Sequence, residues 1–355
     1  MAKIELVGLG HKYPGNADYS LQPQTMTWQD GGAYALLGPS GCGKTTLLNI
    51  ISGLLIPSEG QVLFDGCDVT RLPTEQRNIA QVFQFPVIYD TMTVFDNLAF
   101  PLRNRKLREP EVKSRVQEIA EILDLTGDLK RRAAGLSAEE KQIISLGRGL
   151  VRKDVAAVLF DEPLTVIDPH VKWLLRRQLK RIHQQLKLSL IYVTHDQIEA
   201  LTFADQVVVM YEGQVVQMGT PQDLFETPAH TFVGHFIGSP GMNLLPCQLE
   251  GQSIRLGTQT LPIDSALAGK LASIGQPLTL GIRPEFIQLA EDGPTLDAEV
   301  LRLEDLGTVK LLTAQLAGQT IKIKLGEHAS VNSDRVRLGF TPARTMFYAD
   351  GRRVA

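Results

Sequence analysis

The sequence holds only three cysteines, Cys42, Cys67 and Cys247, and no two of them stand in C-x-x-C spacing. That argues against a disulfide framework and a zinc site, and a reducing cytoplasm fits best. No apolar run approaches the roughly 18 residues a membrane-spanning helix needs, and the N-terminal Met-Ala-Lys-Ile-Glu-Leu lacks the regions of a secretory signal. If the chain works at a membrane, another chain must anchor it. Positive charge is not in excess either. Lys and Arg number 36 against 39 Asp and Glu, a net charge of -3, which leaves no electrostatic ground for nucleic-acid binding. The remainder is an ordinary globular composition, 43% hydrophobic and 21% charged. At about 150 residues per domain, 355 residues suggest two domains, each able to bury its own core.

One stretch organises the rest. Gly38, Pro39, Ser40, Gly41, Cys42, Gly43, Lys44, Thr45 and Thr46 follow an apolar run, Ala33 to Leu37, and open an amphipathic one, Thr46 to Ile51. Strand, glycine loop and helix in that order make a phosphate cradle. Glycines at 38, 41 and 43 let successive N–H groups point inward, and the helix adds its positive N-terminal dipole. Lys44 is expected to reach the β- and γ-phosphates, and the Thr45 hydroxyl to ligate Mg²⁺. Cys42 lies inside this stretch, so a bulky thiol adduct is expected to block nucleotide.

Upstream, Lys3 to Leu9 alternates like an edge strand and leads to Tyr13 in a turn, where the ring can stack on an adenine or simply pack. Leu21 to Trp28 and Gly60 to Phe64 read as strands, the latter ended by the hairpin signal Asp65-Gly66. Ile79 to Gln84 is a short β-branched and aromatic run. Its terminal Gln84 can offer an amide oxygen to a metal or serve as a polar strand end. Residues 109 to 125 give an amphipathic helix with Val112, Val116, Ile119, Ala120 and Leu123 inward, and Lys113, Arg115, Gln117, Glu118 and Glu121 on a solvated face. Ser137 and Glu140 have capping-box spacing at the start of a further helix.

Val155 to Phe160 suits a buried parallel strand and ends in Asp161-Glu162-Pro163. Acids leaving the C-terminal end of such a strand stand where open α/β sheets bind ligands. Asp161 can hold a Mg²⁺ shell while Glu162 orients or deprotonates a water. After Asp168-Pro169 comes a long helix with Val171, Leu174, Leu175, Leu179, Ile182 and Leu186 on one face. The strand Leu190 to Val193 then ends in Thr194-His195-Asp196, where His195 can touch a γ-phosphate or merely cap.

Together these pieces resemble the ATP-binding subunits of ABC transporters over residues 1 to about 238. The resemblance implies Tyr13 as adenine-stacking residue, 38 to 46 as the Walker A loop and Gln84 as the Q-loop glutamine. It likewise implies Asp161 and Glu162 as Walker B aspartate and catalytic glutamate, Asp168 as D-loop aspartate and His195 as switch histidine. ATP and Mg²⁺ are the implied cofactors, with Mg²⁺ held by Thr45, Gln84 and Asp161. Phe236 to Asn243, Gly281 to Glu285 and Glu304 to Gly307 resemble the C-terminal OB-type (TOBE) regulatory domain of carbohydrate-type importers. Short strands such as Gln319 to Lys324, with Ile321 and Ile323 alternating, read as a small β-barrel on pattern alone. The expected fold is therefore an α/β P-loop ATPase domain over 1-238, with a strand-rich N-terminal part, a RecA-like core and a helical subdomain. A small all-β OB-like domain over 239-355 follows.

One departure stands out. The family signature is Leu-Ser-Gly-Gly-Gln, and the corresponding residues here are Leu136-Ser137-Ala138-Glu139-Glu140. In the family two subunits bind ATP head to tail, each signature completing the other subunit's site. A carboxylate about 4 Å from phosphate oxygen is repelled by roughly 4 kcal/mol at an effective dielectric near 20. The chain is therefore expected to hydrolyse ATP but not to complete a partner's site, which calls for a second ATPase with an intact signature. The whole pattern most resembles one of the two unequal ATPases of bacterial glycerol importers; a sugar or glycerol-phosphate importer ATPase, or an ATP-switched regulatory protein, is the alternative. Implied partners are the second ATPase, transmembrane permeases and, indirectly, a solute-binding protein. The implied location is the cytoplasmic face of the bacterial inner membrane.

Overall fold

The computed structural model describes residues 2–165, 167–275, 277–290 and 292–354. The chain divides into two compact units, Met1–Pro221 and Gln222–Ala355.

In the first unit, a six-stranded sheet runs in the order Gln214–Gly219, Gln206–Tyr211, Ala33–Leu37, Leu190–Thr194, Ala157–Asp161, Ile79–Val82. All neighbours are parallel except the first pair. Ala33–Leu37 and Leu190–Thr194 are buried along their whole lengths, as near-continuous apolar runs in a sheet covered on both faces must be. Register then does the positioning. Leu37 pairs with Thr194, and Asp161 with Val193, so residues 38, 162 and 195 leave the sheet at one edge.

A four-stranded antiparallel sheet, Leu21–Trp28, Ile4–His11, Glu59–Phe64 and Cys67–Asp68, completes the strand-rich part. Ile4–His11 pairs on both sides, so it is an interior strand rather than the edge that its alternation suggests. The Asp65-Gly66 turn forms with both residues left-handed, as a two-residue hairpin of this kind requires.

Helices Val94–Asn104, Glu109–Ile122 and Ala138–Leu150 pack together. Val112, Val116, Ile119, Ala120 and Leu123 are buried as the periodicity requires. Arg115 corrects the solvated-face expectation. It is buried, and its guanidinium donates to Leu150 O and Val151 O, closing the carbonyl end of Ala138–Leu150 while Glu118 pairs with it at 2.8 Å. Arg77 does the same for the helix after the phosphate loop, donating to Ile50 O and Ile51 O.

The second unit is all-antiparallel in its sheets. One runs Gln259–Pro262, Ser253–Leu256, Asn243–Glu250, Leu278–Ile282, Met346–Ala349, Arg352–Arg353, and the other Ile287–Leu289, Arg335–Phe340, Thr295–Asp305, Val309–Leu316, Gln319–Gly326. Their inward residues share one core, which includes Ile321 and Ile323. The division at Pro221/Gln222 lies upstream of residue 238 because Arg283, 1% exposed, gathers the carbonyls of Leu224, Phe225 and Ile237. That holds the short helices Pro221–Glu226 and Thr231–Phe236 to the C-terminal strands, and burial lowers the Arg283 pKa to about 10.

Candidate functional site

The phosphate loop leaves the buried strand Ala33–Leu37 and enters the helix Lys44–Ser52. At Gly38 a Cβ would meet Met210 O at 2.3 Å and Cys42 Sγ at 2.8 Å. At Gly43 the backbone is left-handed, φ 99°, and a Cβ would meet Ser20 O at 2.6 Å. Both positions therefore demand glycine. Gly43 caps the helix without a side chain, and no acid stands in the first turn, so the leading N–H groups and the dipole are left for an anion.

Lys44 is buried, and its ammonium donates to Gly38 O at 2.8 Å and Pro39 O at 2.9 Å, holding the loop closed around its own cation. Ser40, Gly41, Gly43, Lys44, Thr45 and Thr46 line a cavity of about 370 Å³. Tyr13, Ser20 and Glu162 complete the wall. Tyr13 is brought in from 33 residues upstream. Its hydroxyl lies 3.1 Å from Thr46 Oγ1, and its ring stands edge-on to His11 at 4.7 Å.

Cys42 is placed differently from the expectation. Its side chain is 4% exposed and belongs to the hydrophobic core, and it does not line the cavity. Burial pushes its thiol pKa up, against the pull of Lys44, so little thiolate is offered to a reagent. The cysteine contributes backbone to the loop rather than a reactive group to the site.

At the ends of the neighbouring strands stand the acids and the histidine. Glu162 has φ 46°, a left-handed conformation that a side chain rarely adopts. Its N–H donates to Val193 O, and its own carbonyl receives the Thr165 hydroxyl, so neighbours on both sides over-determine the strained residue. Its carboxylate lies 3.1 Å from His195 Nδ1. Asp161 is partly buried. Desolvation and then the charge of Glu162 raise its pKa, while Lys44 lowers it. Neither Asp161 nor His195 lines the cavity itself; His195 adjoins it through Glu162, and Asp161 feels the charge of Lys44.

Gln84 is not a strand end. The strand stops at Val82, and Gln84 lies two residues beyond, half-buried and away from the cavity lining. What fixes this segment is Gln142, which the sequence reading missed. Fully buried, its Nε2 donates to Phe83 O at 3.1 Å and Pro163 O at 2.8 Å, tying the residue before Gln84 to the residue after Glu162. A glutamine inside an amphipathic helix carries no local signal of such a bridge. Asp168 caps Pro169–Leu186 by accepting from His170 N.

The altered signature forms a full capping box. Ser137 Oγ accepts from Glu140 N at 3.1 Å, and Glu140 Oε2 accepts from Ser137 N at 2.7 Å. Arg131 pairs with Glu140 at 3.1 Å and with Asp128 at 2.7 Å. The Ser137 backbone N–H and then Arg131 hold the Glu140 carboxyl below the usual range. The helix end that begins at the signature is thus occupied by the chain's own carboxylate.

A phosphate cradle at the switch of a parallel sheet, with a glutamate and histidine at the adjacent strand ends, defines an ATPase of the ABC class. The family description ABC transporter matches residues 21–165, MalK OB fold domain matches 238–287 and TOBE domain matches 280–347. The chain belongs to the ATP-binding subunits of carbohydrate-type ABC importers, and it is an ATPase. It is 38% identical over 312 residues to the sn-glycerol-3-phosphate import ATP-binding protein UgpC of Psychromonas ingrahamii, covering 88% of this chain and 82% of that one. The protein of the same name from Salmonella typhi is 39% identical over 331 residues, 92% and 91% of the two chains. UgpC 2 of Agrobacterium fabrum is 36% identical over 357 residues, 100% and 95%. Among solved structures, cbiO1 of Clostridium perfringens, part of the ABC transporter complex cbiONQ, matches with a TM-score of 0.58 and 27% identity over 63% of this chain and 90% of that one.

Proposed function

We propose that this chain energises import of a small phosphorylated polyol of the glycerol-phosphate kind. The observation that carries this reading is its near-full-length similarity, through both units, to proteins named for sn-glycerol-3-phosphate import. Those names support a phosphorylated solute better than free glycerol. The solute is selected by permease and binding subunits, so the chain's own part is to turn over ATP against them. No helix among the described residues is long and apolar enough to cross a membrane; the similarity to import ATP-binding proteins supports a peripheral subunit held by permeases on the cytoplasmic face.

In this reading the phosphate loop binds the β- and γ-phosphates through its N–H groups and Lys44, and Tyr13 packs on the adenine. Glu162 orients or deprotonates the attacking water, and His195 holds Glu162 and meets the γ-phosphate. Thr45, on the cavity wall, and Asp161, at the adjacent strand end, are oxygen donors that would suit Mg²⁺; Gln84, the third oxygen donor of the set, lies away from the cavity lining. Bound there, Mg²⁺ would neutralise charge on the transferring phosphoryl group.

The working pair is a heterodimer. Ala138, Glu139 and the capped Glu140 leave this chain unable to complete a second site, so an ATPase with Leu-Ser-Gly-Gly-Gln supplies the missing half. The test is uptake into proteoliposomes carrying the assembled transporter. ATP-driven accumulation of labelled sn-glycerol-3-phosphate that excess glycerol does not displace is expected. Accumulation of glycerol alone would replace the phosphorylated solute.

A further inference from the structure

Helix Pro169–Leu186 contains no Asp or Glu, yet it carries Lys172, Arg176, Arg177, Lys180 and Arg181. Elsewhere the chain pairs its charges freely, as Arg103 does with both Asp96 and Glu109. Here it does not: Arg176, Arg177, Lys180 and Arg181 form no ion pair among the described residues. Nearby acids are already engaged. Glu199 is buried, accepts from Tyr192 and Thr194 and lies 3.7 Å from Lys172; Asp196 caps helix Gln197–Phe203.

Leu174, read from the sequence as part of the helix's apolar face, is left outside the core. It is 41% exposed, and Trp173 and Ile198 beside it are 52% and 64% exposed. Core burial on this helix goes to Leu175, Leu179, Ile182 and His183 instead. The four cations and three apolar side chains line one groove of about 790 Å³ between the helix and Gln197–Phe203. Arg177 lies 5.5 Å from the Trp173 ring centroid, and Lys180 donates to Thr202 O, so both are settled on the groove walls.

We propose that this groove docks an acidic amphipathic segment of a partner protein. Arg176 with Lys180 and Arg177 with Arg181 make two i, i+4 rows, each spaced by about 6 Å along the axis. A helix bearing carboxylates at i and i+4 matches that spacing, and one apolar side chain per turn meets Trp173, Leu174 and Ile198. Concavity favours an inserted chain over a lipid surface, which seats on protruding apolar residues.

The chain has only two tryptophans, and Trp28 is 1% exposed, so Trp173 emission reads the groove directly. The probe is a synthetic acidic amphipathic helical peptide with glutamates at i and i+4 and one leucine per turn, added to the full-length chain. A saturable blue shift is expected, weakening at least about tenfold when salt rises from about 50 mM to about 500 mM. Arg177→Glu with Arg181→Glu should abolish it, while Lys113→Glu with Lys130→Glu, the same charge change elsewhere, should leave it intact; thermal melts of both variants verify folding. No shift with the peptide, an equal shift in the groove variant, or a shift produced only by phosphatidylserine vesicles would overturn the proposal.

Discussion

Two helix N-termini in this chain show opposite treatments of the same physics. Lys44–Ser52 begins at a glycine with no side-chain cap and no acid in its first turn; Ala138–Leu150 begins at Ser137 with Glu140 folded back on the cap. Every α-helix leaves its leading N–H groups unsatisfied and its N-terminus partly positive. The first helix leaves that potential open to a phosphate beside Lys44. The second satisfies it internally, with Arg131 balancing the carboxylate. One end is prepared to bind an anion, and the other already holds one.

The contrast breaks most severely at Glu162. Glu162→Gln should keep nucleotide binding while the assembled transporter loses roughly 100-fold or more in hydrolysis, the scale of lost general-base help. Single-turnover rates beside ATP-binding isotherms check this, and unchanged turnover removes Glu162 from the mechanism.

At the closed end the expected effect is on stability. Ser137→Ala removes a cap worth about 1 kcal/mol, a fall in Tm of roughly 2–4 °C by calorimetry. The cradle has no cap to lose, so its response runs through charge. Burial and Glu162 raise the folded pKa of Asp161 above its unfolded value, so protonation favours the fold, and above the folded pKa the ionised carboxylate costs stability. Asp161→Asn should therefore raise the nucleotide-free Tm at neutral pH by about 1–3 °C, with the gain shrinking as pH falls through the carboxylate range. A lower Tm at pH 7 would contradict that sign. The smallest effect concerns Cys42: its buried thiol should alkylate more slowly than exposed Cys67, so brief treatment should leave ATP binding unchanged. Peptide mapping of the adducts decides the order.

What the sequence made legible was contiguous. Residues 38 to 46 form one continuous loop and helix start, and Asp161-Glu162 and His195 follow apolar runs whose burial their composition requires. Residues that work across the fold were not legible. Arg77, Arg115 and Arg283 close carbonyl ends supplied by distant segments, and nothing in their local sequence pattern distinguishes them from solvated arginines. Gln142 bridges loops 59 and 21 residues away. Periodicity placed Leu174 on the apolar face with the buried leucines, because it registers an apolar stripe without showing how much of that stripe the neighbouring elements cover. Cys42 erred for the opposite reason: its sequence position lies in the cradle, but its side chain turns beneath it.

The most direct measurement is the ATPase rate of the purified chain before and after its signature is rebuilt, with Ala138→Gly, Glu139→Gly and Glu140→Gln combined. Glutamine preserves the capping-box pattern, so the helix start survives while its negative charge goes. The unmodified chain should show little hydrolysis and weak ATP-driven dimerisation, and the rebuilt chain should gain at least about tenfold in rate, some 1.4 kcal/mol of barrier, and dimerise with ATP. Vigorous cooperative hydrolysis by the unmodified chain alone, or no gain on rebuilding, would contradict the account.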